Sequence, residues 1–330
     1  MLRVWLCVAL VLLAGCGNST QPTPTPAAPQ ITCPANIVVR GIAGGSQTVT
    51  FPAPIVSGGT LPLSLTCTQI AGAAFPLGTT PVNCTVRDAV AREAGCSFSV
   101  SVSGLQLAVT KFEAAGDSFT AGENGRPAFI DLPNAYPTRL QVAFDTRYPG
   151  QGITVINRGH NGDSVLTTLQ ILPGFLATDR PGAVLLLSGY NDLSVCVPGQ
   201  TNTSACSAAI NDLGFGVRDC IRRAKESAIG VKYVFVSTLT PPGPVAPNAF
   251  RDRRIAPEAI VQANNRIRQH VSAEGAILVD TYPLFVGHEA EYVDTDGLHL
   301  RPAGYQALAD SFFAAIRGTI PENPQLAQRE

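Results

Sequence analysis

Leu107-Ala108-Val109-Thr110-Lys111-Phe112-Glu113 alternates in the manner of a strand and leads into Ala115-Gly116-Asp117-Ser118-Phe119-Thr120. A period of two sends successive side chains to opposite faces of a sheet. Gly-Asp-Ser at the end of such a strand is ordinary turn chemistry, and it also suits a nucleophile. There the serine hydroxyl is held on rigid backbone at the start of a helix, where free N–H groups favour developing negative charge. The rest of the chain decides between these readings.

Downstream, strand-like and helix-like patterns alternate. Ile153-Thr154-Val155-Ile156-Asn157, Ala183-Val184-Leu185-Leu186-Leu187, Tyr233-Val234-Phe235-Val236-Ser237 and Ala276-Ile277-Leu278-Val279-Asp280 read as strands. Helical patterns cover 164–176, 207–227 and 257–272. Apolar strands separated by helices predict an α/β domain with a parallel sheet covered on both faces. Such sheets bind ligands beyond the carboxyl ends of their strands, and four polar segments fall there. They are Gly116-Asp117-Ser118, Asn157-Arg158-Gly159-His160-Asn161-Gly162-Asp163-Ser164, Ser188-Gly189-Tyr190-Asn191-Asp192 and Asp294-Thr295-Asp296-Gly297-Leu298-His299-Leu300-Arg301-Pro302.

An ester hydrolase needs a nucleophile, a base, a carboxylate to orient the base, and donors for the oxyanion. Ser118 supplies the first and His299 the second, and Asp296 can reach the histidine ring across one turn. The other histidines fit less well. His270 sits in a predicted helix among charged neighbours, His288 lies in a Gly-His-Glu loop without a partner signature, and His160 has no carboxylate at comparable spacing.

Together the four segments resemble blocks I, II, III and V of the SGNH (GDSL) hydrolase family, over about residues 108–318. The resemblance implies a three-layer α/β/α sandwich around a parallel sheet, with no metal and no organic cofactor. It implies Ser118 as nucleophile, His299 as general base and then acid, and Asp296 as the orienting carboxylate. The oxyanion donors it implies are the backbone N–H groups of Ser118 and Gly162 and the side-chain amide of Asn191. Glycine at 162 lets a substrate approach the N–H, and asparagine donates without carrying charge. Asp117 and Asp192 are expected to bond loop amides. Phe119 stands where leucine is usual, a volume change expected to be harmless, and Leu300-Arg301-Pro302 replaces a proline directly after the histidine. Cys196 and Cys206 are expected to close a loop beside Asn191, residues 240–254 to form another wall, and Cys220 to be a buried free thiol.

Residues 31–104 read differently. Short β-branched runs punctuated by glycine and proline predict an immunoglobulin-like β-sandwich. Ile31-Thr32-Cys33-Pro34, Phe75-Pro76-Leu77-Gly78-Thr79-Thr80, Val82-Asn83-Cys84 and Cys96-Ser97-Phe98-Ser99-Val100 resemble a hyalin-repeat (HYR) module. Its four cysteines allow three pairings. The stretch contains no histidine, and a spacer or adhesion role is the expectation. Ahead of it, Arg3 and an apolar run over 4–14 read as a signal peptide, 1–15. Leu13-Ala14-Gly15-Cys16 resembles a bacterial lipobox, which implies lipid on Cys16 and a lipid-anchored place in the cell envelope. Residues 16–30 form a Thr/Pro-rich tether, with the hydrolase domain over 107–318 and a tail over 319–330.

A net charge of −1 gives no field for nucleic acid or an anionic surface. No Cys-x-x-Cys, His-Glu-x-x-His or Gly-Lys-Thr sequence is present, which disfavours zinc ribbons, metalloproteases and nucleotide sites. The expectation is a serine esterase acting on acylated carbohydrate or lipid, lysophospholipid included, through an acyl-serine intermediate. The alternative is a surface binding lipoprotein whose SGNH fold has lost catalysis.

Overall fold

Over residues 30–104, β-branched residues interrupted by glycine and proline build strands and no helix. The structure, a computed structural model, describes residues 25–125, 129–247, 249 and 252–322. The leader, Cys16 with its expected lipid, and the tail beyond 322 lie outside the described residues. The chain divides into two compact units, one of Met1–Asn36, Val49–Ala73 and Pro81–Ser99, the other of Ile37–Thr48, Ala74–Thr80 and Val100–Glu330.

The early strands are β1 (Gln30–Thr32), β2 (Ile37–Ile42), β3 (Ser46–Val49), β4 (Ile55–Ser57), β5 (Ser64–Cys67), β6 (Ala73–Pro76), β7 (Gly78–Arg87) and β8 (Glu93–Gly104). Alternation is plainest in β7, where Val82, Cys84 and Val86 are buried and Asn83, Thr85 and Arg87 exposed. Of the three pairings open to the four cysteines, the chain adopts Cys33–Cys96 and Cys67–Cys84. Cys67 and Cys84 are register partners of β5 and β7, so the second bridge staples a ladder already formed.

Beyond residue 105 the elements are β9 (Lys111–Gly116), α1 (Ser118–Ala121), α2 (Tyr136–Arg147), β10 (Thr154–Gly159), α3 (Val165–Asp179) and β11 (Ala183–Leu187). They continue with α4 (Ser204–Lys225), β12 (Tyr233–Ser237), α5 (Pro257–Ala273), β13 (Ile277–Val279), α6 (Tyr282–Phe285), α7 (Glu289–Tyr292) and α8 (Pro302–Thr319). The five strands form one parallel sheet in the order β10-β9-β11-β12-β13. Sheet growth reverses at β9, so its carboxyl end and that of β11 flank a switch-point crevice. Adjacent residues of β9 show that both faces are covered. Phe112 stacks on Phe144 of α2 at 4.9 Å, whereas Glu113 lies beside Asp179 of α3. The result is a three-layer α/β/α sandwich.

Two differences from the sequence reading have physical causes. The strand before Ser118 begins at Lys111 rather than Leu107, because Leu107 and Ala108 pair with Glu322 and Pro321 instead of the sheet. Helix α2 was not anticipated: it buries only Tyr136, Pro137, Leu140 and Phe144, a sparse stripe for periodicity to detect.

Glu113 is wholly buried among the sheet residues. Burial and the neighbouring Asp179 charge push its carboxyl up to about 8, opposed by Arg158, which forks onto Asp179 at 2.7 and 2.8 Å. The folded state therefore holds a proton here that an unfolded chain releases above its ordinary range. Stability from this group is complete below about pH 4.5 and is lost as pH rises towards about 8. Urea unfolding from pH 5 to 8 should show the wild type losing on the order of 1–4 kcal/mol and Glu113→Gln losing clearly less; parallel curves would refute the assignment.

Candidate active site

Strand β9 ends at Gly116, where any Cβ would lie 1.9 Å from the Leu187 carbonyl oxygen of β11. Glycine is required there by close approach. Asp117 follows as the N-cap of α1: one carboxylate oxygen accepts from Phe119 N–H at 3.1 Å, the other from Gly189 at 3.2 Å and Tyr190 at 3.4 Å. Burial pushes the Asp117 carboxyl up to about 7, against these N–H bonds and the His299 ring, which pull it down. The clamp joins the loop after β9 to the loop after β11. Phe119 and Tyr190 continue that joint, stacked at 3.8 Å with 5° between their planes. Phenylalanine at 119 thus supplies one half of a packed aromatic pair.

Ser118, the first residue of α1, is buried, and its Oγ lies 3.0 Å from His299 Nε2. The other ring nitrogen, Nδ1, is 2.7 Å from Asp296 Oδ2. Asp296 Oδ1 accepts the backbone N–H groups of Leu298 and His299, each at 3.0 Å, so the carboxylate folds its own loop as it orients the ring. Burial pushes the Asp296 carboxyl up, but the His299 ring and these N–H groups bring it below its ordinary value. It is an anion held for a cation to form beside it.

Gly162, at φ +82°, occupies the left-handed region that favours glycine, and no atom lies within 4 Å of a Cβ built there. Asn191 donates its amide to the Asp163 carbonyl at 3.0 Å, which fixes the side chain and leaves its second N–H to point elsewhere. Asp192 accepts the Val165 N–H at 2.9 Å, joining the loop after β11 to the start of α3. Gly162 and Asn191 line one cavity of about 500 Å³ with Tyr190, Ser194, Val197 and Leu298. Asp252, Arg253, Arg254 and Ile255 complete its wall, as expected of the 240–254 loop. The Cys196–Cys206 disulfide closes the loop that carries Val197. Cys220 is a buried thiol that burial pushes up to about 12, far from reactive.

The remaining histidines need correction. His160 does have a carboxylate beside it, Asp163 at 3.5 Å, three residues later rather than earlier. His288 has Glu291 at 3.3 Å. Both rings are more than half exposed and neither meets a serine. No cluster of histidine, cysteine or acidic residues with metal-site geometry occurs among the described residues.

A family model described as the GDSL-like lipase/acylhydrolase family matches residues 114–307, well over half of the chain. The chain belongs to that family. A second match, to the HYR domain, covers residues 25–102. The spore germination lipase LipC of Bacillus licheniformis is 33% identical over 73 residues, 22% of this chain and 34% of the lipase. The chain thus spans about a third of the length of that curated relative. A solved carbohydrate acetylesterase family member from Sinorhizobium meliloti has 19% identity and a TM-score of 0.50, covering 63% of this chain and 98% of that one. A gut microbial diltiazem-metabolizing enzyme has 17% identity and a TM-score of 0.51, covering 64% and 47%. These two likenesses bear on the fold alone.

Sequence reading missed Glu123. Its carboxylate lies 3.6 Å from His299 Nε2 and 3.6 Å from Arg253 Nη1. A lone acid five residues past the serine carries no pattern that marks it as part of an SGNH site.

Asp117→Asn sets an amide N–H against backbone N–H donors in a buried place. The variant should lose roughly 1–3 kcal/mol in urea unfolding and lose label uptake at Ser118 by a fluorophosphonate serine probe. Wild-type stability and labelling would remove Asp117 from its clamping role.

Proposed function

We propose that this SGNH hydrolase cleaves carboxylic esters of polar, acylated carbohydrates through an acyl-Ser118 intermediate. The observation that carries the reading is the unbroken relay from Asp296 to His299 to Ser118, at 2.7 and 3.0 Å. His299 Nε2 takes the hydroxyl proton as Ser118 Oγ bonds to the ester carbonyl carbon. The resulting oxyanion is met by the Ser118 and Gly162 backbone N–H groups and the Asn191 amide. Collapse breaks the bond to the alcohol oxygen, which leaves with the proton from Nε2. Water then attacks the acyl carbon and gives its proton to Nε2, and the acid departs as Ser118 recovers that proton. Asp296 keeps the imidazolium paired throughout.

The cavity wall supports a polar substrate over a long acyl chain. Asn191, Ser194, Asp252, Arg253 and Arg254 share the wall with Tyr190, Val197, Ile255 and Leu298, so charged and amide groups stand throughout it. The apolar run over 171–176 does not line it, since Leu172 and Leu176 are buried in the core. Three disulfides support an oxidising compartment. With the sequence of residues 1–16 they support an envelope lipoprotein anchored through Cys16. Palmitate incorporation should disappear in Cys16→Ala; persistent label would remove the anchor.

A fluorophosphonate serine probe should label Ser118, and His299→Ala should abolish the label. Ser118→Ala should lower turnover by several powers of ten, leaving about 10³–10⁴ over water, and Asn191→Ala should cost about 10²–10³. Across 4-nitrophenyl esters, kcat/KM should fall from acetate to octanoate. Rising activity with chain length would favour a lipid substrate, and folded protein that takes no label would favour a binding module.

A further inference from the structure

Glu123 is a carboxylate in an unusual place. It is only 7% exposed, and its backbone is fixed at both ends. Its N–H donates to the Ser118 carbonyl at 2.9 Å, and its carbonyl accepts the Tyr305 hydroxyl. Its side chain is thereby aimed at the Nε2 side of the imidazole, the side facing Ser118, while Asp296 occupies the Nδ1 side. Glu123 therefore does not duplicate Asp296. At 3.6 Å from Nε2 it lies outside hydrogen-bond reach of the ring and does not draw the ring proton away from Ser118. Its other oxygen faces Arg253 Nη1, also at 3.6 Å, and Arg253 lines the cavity shared by Gly162 and Asn191.

In ester cleavage the atom that must approach Nε2 is the alcohol oxygen of the leaving group, because it collects the proton stored there. That oxygen and Glu123 are then neighbours of one nitrogen. A hydroxyl on the carbon next to the ester-bearing carbon is the substrate donor that can reach between them. Resting on the esterase reading above, we infer that Glu123 selects esters whose leaving alcohol carries a vicinal hydroxyl, which donates to the Glu123 carboxylate while Arg253 donates to the next oxygen of the polyol.

Three physical arguments favour this partner. A hydroxyl bound to a carboxylate is a charge-assisted hydrogen bond, about twice as strong as a neutral one. A carboxylate with little access to water gains from a hydroxyl brought to it, so a substrate that carries the donor is favoured over its analogue without one. Arg253 makes the pair neutral overall, which removes the attraction for a cationic leaving group such as choline that an isolated carboxylate would exert.

The test compares trans-2-hydroxycyclohexyl acetate with trans-2-methoxycyclohexyl acetate, using 4-nitrophenyl acetate and acetylcholine as references. Wild-type kcat/KM should favour the hydroxy ester over its methyl ether by about tenfold or more. In Glu123→Gln that ratio should collapse towards one, whatever happens to the overall rate. The wild-type ratio needs no variant, so a poorly folding substitution does not shield the inference. No wild-type discrimination, a ratio unchanged in Glu123→Gln, or a preference for acetylcholine would each overturn it. Protein that cleaves 4-nitrophenyl acetate through Ser118 without discriminating defeats this inference and leaves the esterase reading standing. Folded protein inert on every ester and unlabelled at Ser118 defeats both.

Discussion

Asp117 has no contact with solvent, and its two carboxylate oxygens take backbone N–H groups from two different loops. A buried acceptor of this kind is expensive unless satisfied, and once satisfied it resists displacement. The loop after β9 then cannot move without the loop after β11, which sets Ser118 and Asn191 at a fixed separation. Phe119 on Tyr190 adds a flat, water-excluding contact across the same joint. Tyr190 passes the constraint on, because its hydroxyl accepts the Thr240 N–H at 2.6 Å in the loop after β12. Three neighbouring strands thus have their carboxyl-terminal loops tied by one chain of contacts.

Around His299 stand three carboxylates, and their neighbours separate their tasks. Asp117 is spent on amides and organises backbone. Asp296 is drawn below its ordinary value by the ring it orients. Glu123 faces the opposite ring nitrogen with an arginine beside it. The same chemical group serves as scaffold, as orienting anion and as a contact for substrate, and burial plus partner identity makes the difference. Glu113, buried beside another acid and without backbone N–H partners, is pushed further towards its neutral form than Asp117.

Much of this was legible in the sequence because it is local. Strand β11 and strand β12 are continuous apolar runs with the bounds read for them, and Asp296 and His299 lie one turn apart, so spacing alone predicts their contact. Three of the four loop segments directly follow strands of one parallel sheet, and the fourth comes after β13 by way of α6 and α7. What escaped notice depends on tertiary pairing. Residues 107–108 look like part of β9 but spend their backbone groups on 321–322. Helix α2 hides a four-residue apolar stripe among polar positions. Glu123 and Arg253 are 130 positions apart and meet only in the folded site. The asymmetry of His160 and Asp163 was overlooked because the carboxylate follows the histidine rather than preceding it.

Ser118 and His299 are separated by 181 residues. The residues proposed as nucleophile and oxyanion donors all precede β12, whereas the histidine that meets the serine arrives after β13. A chain emerging amino end first therefore displays a serine and its donor loops long before it owns a proton acceptor. On the reading proposed above, a product truncated ahead of residue 299 holds the nucleophile without its base and is chemically silent.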